Sequence, residues 1–234
     1  MRKIIIAFLV IGWCATGIAQ TVNEFGISLY PHFSDRRLSY FGNPEQSFLD
    51  SIQRNEISRP SYEISVYWQA KGEKVGLYVG LGYLNTGFRT SFDTLENAPA
   101  EFPNAFKVRT DHKNINLTLP VEVNFSHKIN DYNEFSFGLG FALSYNLTNF
   151  ENELYYSSKK HIGNVTNEVG TVGYNRFNTA FQSSVGWRHT FKNGLSFHLQ
   201  PMFRMWLKPT KQVNDFFRNL YSLGIRTSFT FSNN

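Results

Sequence analysis

From Lys113 to Ser126 the chain changes character at every residue. Ile115, Leu117, Leu119, Val121, Val123 and Phe125 are apolar, and Asn114, Asn116, Thr118, Pro120, Glu122 and Asn124 fall between them. A β-strand sends successive side chains to opposite faces, so this pattern makes a ribbon with one greasy and one polar side. A helix of period 3.6 would mix the two sets around its circumference. The segment is therefore strand, and a chain that repeats it must close one face of its sheet away from the other.

It does repeat it. Phe135, Phe137, Leu139, Phe141, Leu143, Tyr145 and Leu147 alternate with Ser136, Gly138, Gly140, Ala142, Ser144 and Asn146. Further strands are marked by Phe25, Ile27 and Leu29; by Tyr62, Ile64, Val66 and Trp68; by Val75, Leu77, Val79, Leu81 and Tyr83; by Phe177, Phe181, Val185 and Trp187; by Leu195, Phe197, Leu199, Phe203, Met205 and Leu207; and by Tyr221, Leu223, Ile225, Phe229 and Phe231. That makes eight strands. Short turns rich in Asn, Gly and Lys join the second to the third (Lys71 to Lys74), the fourth to the fifth (His127 to Asn133) and the sixth to the seventh (Lys192 to Gly194). The connections Ser34 to Ser58, Phe92 to His112, Asn149 to Gly173 and Lys208 to Phe216 are long. Strict alternation of short and long connections predicts an up-and-down sheet with turns at one end and loops at the other, as in outer-membrane barrels, and puts both termini in the periplasm.

The polar face separates a membrane barrel from a soluble sandwich or lipocalin-like cup. A face in water carries many Lys and Glu. Here the face holds Gly76, Gly80, Gly82, Asn116, Thr118, Gly138, Gly140, Gln182, Ser184, Gly186, Gln200, Ser222 and Gly224, small uncharged groups suited to a crowded lumen. The apolar face is graded. Trp68, Phe125, Phe135, Trp187, Phe197 and Phe231 lie near the short-turn ends, and Tyr62, Tyr83, Tyr145, Phe177 and Tyr221 near the long-loop ends. Two aromatic belts flanking an aliphatic band match the two interfaces of a bilayer. The fold expected is all-β: an eight-stranded antiparallel up-and-down transmembrane β-barrel.

The first residues set the compartment. Arg2 and Lys3 precede the apolar run Ile4 to Val10, and Gly17 and Ala19 stand at the −3 and −1 positions of a cut before Gln20. This reads as a secretory signal peptide over 1–19, with a barrel domain over 20–234. Cys14, the single cysteine, falls within the leader, and Trp13 before it does not suit a lipoprotein signal. The remaining chain has no disulfide framework and no thiolate metal site. Without Arg2 and Lys3, 21 basic residues stand against 18 acidic ones, too small an excess to indicate nucleic acid.

The strands Ile115-Asn-Leu-Thr-Leu-Pro-Val-Glu-Val, Phe137-Gly-Leu-Gly-Phe-Ala-Leu-Ser-Tyr, Leu199-Gln-Pro-Met-Phe-Arg-Met-Trp-Leu and Tyr221-Ser-Leu-Gly-Ile-Arg-Thr-Ser-Phe-Thr-Phe together resemble the PorT-like outer-membrane β-barrel proteins of Bacteroidetes. The likeness spans nearly all of the chain after the leader and rests on strand-filling patterns without a catalytic signature. One departure is the tail, where Ser232, Asn233 and Asn234 follow Phe231. The resemblance implies roles in secretion, gliding or surface assembly.

Few ionisable groups point to the polar side of strands: Glu63, Glu122, Arg188, His198, Arg204 and Arg226. In a filled eight-stranded barrel buried charges must pair, so Glu122 with Arg226 or Arg188, and Arg204 nearby, are candidates for structural ion pairs. A rival arrangement is a hydrolase: Ser196 and His198, two apart on one face, with Glu122 to orient the histidine. Its location counts against it, because the pair sits at the short-turn start of its strand, facing inward. Asn116-Leu-Thr, Asn146-Leu-Thr and Asn164-Val-Thr are chance sequons, and Asp111 to Lys113 and Ser157 to His161 read as solvated loop charges. The expectation is a non-enzymatic outer-membrane barrel without cofactor or metal. It would act through long extracellular loops or as part of an envelope or secretion complex. The lipid-modifying hydrolase and a narrow, porin-like pore are the alternatives. The expected partners are outer-membrane lipid and other envelope proteins, with no nucleic acid. The segment Asn149 to Gly173, carrying Glu151, Glu153, Tyr155, Tyr156, Lys159 and Lys160, suits an adhesive surface.

Overall fold

The computed structural model describes residues 22–40, 55–158, 160–210 and 216–232, with backbone alone for 37–40, 216–218 and 232. The leader, Cys14 and the Ala19–Gln20 cut lie outside the described residues. Eleven strands form: β1 (Val22–Tyr40), β2 (Glu56–Ile57), β3 (Arg59–Lys71), β4 (Val75–Thr90), β5 (Asp93–Thr94), β6 (Lys107–Lys128), β7 (Asn133–Ser157), β8 (Lys160–Glu168), β9 (Phe177–Thr190), β10 (Leu195–Trp206) and β11 (Phe216–Ser232). Eight of them make a ring in chain order, β1–β3–β4–β6–β7–β9–β10–β11, each pair antiparallel. The ring closes where β11 pairs with β1 from Glu24↔Ser232 to Tyr40↔Phe216. The two-residue strands β2 and β5 extend β4 and β6, and β8 pairs with β7.

The register fixes the barrel's shape. Opposite partners lead from Phe25 to Trp68, Val79, Val121, Phe141, Phe181, Met205 and Tyr221, and return to β1 at Asp35, ten residues from the start. With ~3.3 Å per residue and ~4.8 Å between strands, that stagger tilts eight strands by about 40° and gives a backbone cylinder of about 8 Å radius. Such a bore is just wide enough to be filled by side chains.

The greasy face points outward. Ile27, Ile64, Val66, Leu81, Phe141, Leu143 and Leu223 are each more than half exposed, while Glu24, Glu63, Glu122, Arg188, Arg204 and Arg226 are buried. Backbone ladders satisfy the wall, as a lipid environment demands. Phe25, Trp68, Phe125, Phe135, Trp187 and Phe197 ring the short-turn end; Trp187 and Phe197 meet edge-on at 6.4 Å. Tyr62 and Tyr83, 6.5 Å apart, and Tyr145 and Phe177, 5.0 Å apart, mark the long-loop end. The register separates the two belts by about 20 Å along the axis, close to the ~25 Å apolar band of outer-membrane barrels. At the short-turn end Phe191-Lys192-Asn193-Gly194 makes a tight turn, with Gly194 at φ 81° and its N–H donating to the Phe191 carbonyl at 3.0 Å.

The loops are less loop-like than the sequence predicts. β1 runs on to Tyr40, β6 starts at Lys107, and Asn149 to Gly173 is mostly a hairpin of β7 and β8. These stretches are polar on both faces, so strand periodicity leaves no trace there. The upper halves of β6 and β7 with β8 form a flap that continues the wall past the long-loop belt. One bulge between Ile115 and Asn116 marks the transition.

Candidate functional site

The lumen is built from residues of one parity on each strand. The register orders them in decks along the axis. At the short-turn end Arg188 on β9 reaches across the bore to Glu24 on β1 with two bonds of 2.6 and 2.8 Å, and Lys71 on β3 holds Glu134 on β7 at 2.6 Å. The middle deck centres on Glu122 of β6. Arg226 on β11 binds both carboxylate oxygens, one at 2.8 Å, and Gln182 on β9 donates to the first at 2.6 Å. The Arg226 Nε–H donates to Gln200 at 3.0 Å. Gln182 then accepts from Arg204 Nε at 3.0 Å, and Arg204 pairs with Glu63. One connected network thus ties β3, β6, β9, β10 and β11 together through the centre. Two-pronged arginine–carboxylate bonds of this kind are among the strongest polar contacts.

Aromatics line the same decks. The Arg226 guanidinium lies 4.9 Å from the Tyr78 ring, and Arg204 sits 5.7 Å from Tyr30 and 5.9 Å from Trp206. Tyr30 donates to the Met202 carbonyl at 3.0 Å. Beyond the Arg204 deck, Leu84, Ala142, Ala180, Trp206 and Leu220 form a fully buried apolar layer toward the long-loop end. Glycine makes room for the middle deck: a Cβ on Gly140 would sit directly against the Val121 carbonyl, and one on Gly138 would meet the Glu122 carboxylate at 3.0 Å.

Two spaces remain. A chamber of about 20 Å³ lies among Tyr67, Tyr78, His198 and Arg226, room for one water. A vestibule of about 480 Å³ opens at the short-turn mouth, lined by Glu24, Lys71, Glu134, Arg188 and Lys192.

The sequence candidates distribute as follows. Glu122 and Arg226 come together. Arg188 does not reach Glu122; it takes Glu24, which sits four residues nearer the mouth in register terms. Arg204 takes Glu63 and touches the Glu122 deck through Gln182. Ser196 and His198 do not assemble with Glu122. Ser196 Oγ accepts from Arg188 at 2.9 Å and shares a 3.0 Å bond with Thr190, His198 Nε2 meets Thr230 Oγ1 at 3.1 Å, and Glu122 is saturated by Arg226 and Gln182. Sequence reasoning missed Glu24, although its parity with Gly26 and Ser28 places it inward. It also missed Lys71 and Glu134, which read as turn charges, and the inward tyrosines Tyr30, Tyr67 and Tyr78, which are as apolar as the outward set by composition.

The flap is the second candidate. Arg109 lies 4.9 Å from the Phe92 ring and donates to the Tyr156 hydroxyl at 3.1 Å. Phe102 stacks on Tyr155 at 5.0 Å. The Tyr155 hydroxyl donates to Glu153 at 2.5 Å, and that carboxylate pushes its pKa up to about 12. Asp111 is buried and held by Arg89 at 3.0 Å and Arg59 at 4.0 Å, so it is not a solvated loop charge. At the base of the flap Asn114, Asn146 and Asn149 bond one another at 2.5–3.1 Å. Two of the three sequons, at Asn116 and Asn146, are buried in the wall.

Residues 19–205 match the family model described as outer membrane protein beta-barrel domain. No curated protein matches the chain. Among solved structures, Neisserial surface protein A is 10% identical, with 86% of this chain and 95% of that one covered at a TM-score of 0.40. The attachment invasion locus protein Ail of Yersinia pestis is 10% identical over 89% of this chain and 99% of its own, TM-score 0.34. The outer membrane protease OmpT of Escherichia coli is 8% identical over 91% and 97%, TM-score 0.36.

Proposed function

The chain belongs to the outer membrane protein β-barrel domain family, and from that premise we propose that it is a non-enzymatic barrel with a sealed lumen that works through its long-loop end. The observation that carries this reading is the lumen itself. Its three Arg–Glu decks are each bonded across the bore, and the apolar layer of Leu84, Trp206 and Leu220 lies beyond them. Opening an aqueous path would require breaking buried ion pairs, which is costly because it strands charge in a dry interior. The structured material is at the other end, where β7 and β8 rise past the aromatic belt. In this reading the loop end faces the exterior, both termini face the periplasm, and 1–19 is a cleaved leader. The finer kinship is PorT-like, with a role in an envelope or surface assembly.

The discriminating experiment is single-channel recording in planar bilayers with purified, refolded protein. The expected result is no steady current. A stable open conductance would replace the sealed barrel with a pore. Incubation with lipopolysaccharide followed by mass analysis is expected to leave the lipid intact, and a released acyl chain would replace it with an enzyme. Protease added to intact cells is expected to cut in 91–106 but not at Phe191 to Gly194, and the reverse pattern would invert the orientation.

A further inference from the structure

We infer that the free edge of β8 pairs with β8 of a second copy of this chain, in antiparallel register centred on Asn164. This rests on the reading that the long-loop end is the working surface and names the partner it takes. Among the described strands β8 pairs with β7 alone, so its far edge presents unpaired backbone groups, a template for another strand.

Which groups point outward follows from one bond. Val169 N–H donates to the Asn149 carbonyl at 2.9 Å, in the same register as the β7–β8 ladder. Antiparallel ladders alternate residues that bond a given neighbour with residues that turn away. Gly163, Val165 and Asn167 therefore face β7, and Asn164, Thr166 and Glu168 turn their amides to the open side. A two-fold through Asn164 makes that residue a hydrogen-bonded pair with itself. It also sets Ile162 opposite Thr166, aligning outward-pointing groups on both strands.

Charge selects the same arrangement. Lys160 opens the strand and Glu168 ends it. Full overlap about Asn164 puts each Lys160 opposite Glu168 of the other copy, at both ends of the pair, and cross-strand opposite charges favour the register that joins them. Both side chains are exposed. The edge is also held in shape beforehand. Phe102 stacks on Tyr155 and lies against Gly163, where any Cβ would collide with its ring. Asn164 and Thr166 bond Asn152 of β7 at 3.2 and 2.9 Å. A preformed edge loses little freedom on pairing, and confinement of two barrels to a membrane raises their effective concentration.

Single cysteines test the register in a Cys14→Ser background. In the proposed pair the two Asn164 Cα atoms lie about 5.5 Å apart, within disulfide reach. Asn164→Cys should cross-link under mild oxidation in detergent, whereas His161→Cys and Asn167→Cys, each facing the other position across the pair, should not. K160E and E168K should each weaken association by about tenfold, and K160E/E168K together should restore it. Retained heat-modifiability on a gel certifies the fold of every variant. Equal cross-linking at all three positions, a strictly monomeric purified protein, or charge reversals that leave association unchanged would overturn the inference. A monomer would mean that the edge serves a different protein. Steady conductance would sink the sealed-lumen reading while leaving this pairing standing.

Discussion

The same two strands, β6 and β7, run through two regions that look nothing alike. Below the bulge at Ile115/Asn116 they alternate without error, Leu117, Leu119 and Val121 outward against Thr118 and Glu122 inward. Above it they read Asp111-His112-Lys113 and Glu151-Asn152-Glu153, polar on both faces. The backbone pairing is unbroken but for one residue. Alternation is thus a record of two unlike surroundings, hydrocarbon on one side and a packed bore on the other. Where water bathes both faces, strand geometry persists on hydrogen bonds and local side-chain contacts, and the pattern disappears.

Four substitutions break or sharpen that contrast. The largest effect is expected in the bore. Glu122→Gln leaves Arg226 buried without its counter-charge and should cost about 3–5 kcal/mol, read as a lower temperature for the shift from the folded to the unfolded gel band. An unchanged shift would mean that the decks are not structural. On the lipid side Leu139→Arg should cost about 2–4 kcal/mol, while Thr166→Arg in the flap should stay within about 0.5 kcal/mol; urea titration in vesicles compares them, and equal costs would erase the distinction between wall and flap. Gly140→Ala drives a methyl into the β6 backbone and should cost about 1–3 kcal/mol by the same titration; a neutral result would show that β6 and β7 can part there. Smallest is Arg109→Ala, which removes the cation between Phe92 and Tyr156 and should loosen the flap by about 0.5–1 kcal/mol. Faster proteolysis between β7 and β8 with an unaltered melting shift is the expected signature. A drop in the melting shift would mean that flap and barrel unfold as one unit.

The contrast also explains what could be read in advance. Ile115 to Phe125 and Phe135 to Leu147 show their faces residue by residue, because each face meets one medium. Glu24 was legible by parity and lost only because the first strand was started one residue late. Tyr30, Tyr67 and Tyr78 were not legible. An aromatic ring suits lipid or a lumen, and only the register tells which. The β7–β8 hairpin was hidden because solvent on both faces selects no pattern, and Asp111 looked solvated because Arg89 and Arg59 reach it from strands far away in sequence.

By itself the sequence determined the strand count, the alternation of short turns and long connections, and the greasy outer face. Each of those depends on residues close together along the chain and on the medium they meet. Only the tertiary structure decided that Arg226 takes Glu122, that Arg188 goes to Glu24 and Arg204 to Glu63, and that β8 is left with an open edge. Those choices depend on a ten-residue stagger accumulated around eight strands, a quantity that no single strand carries.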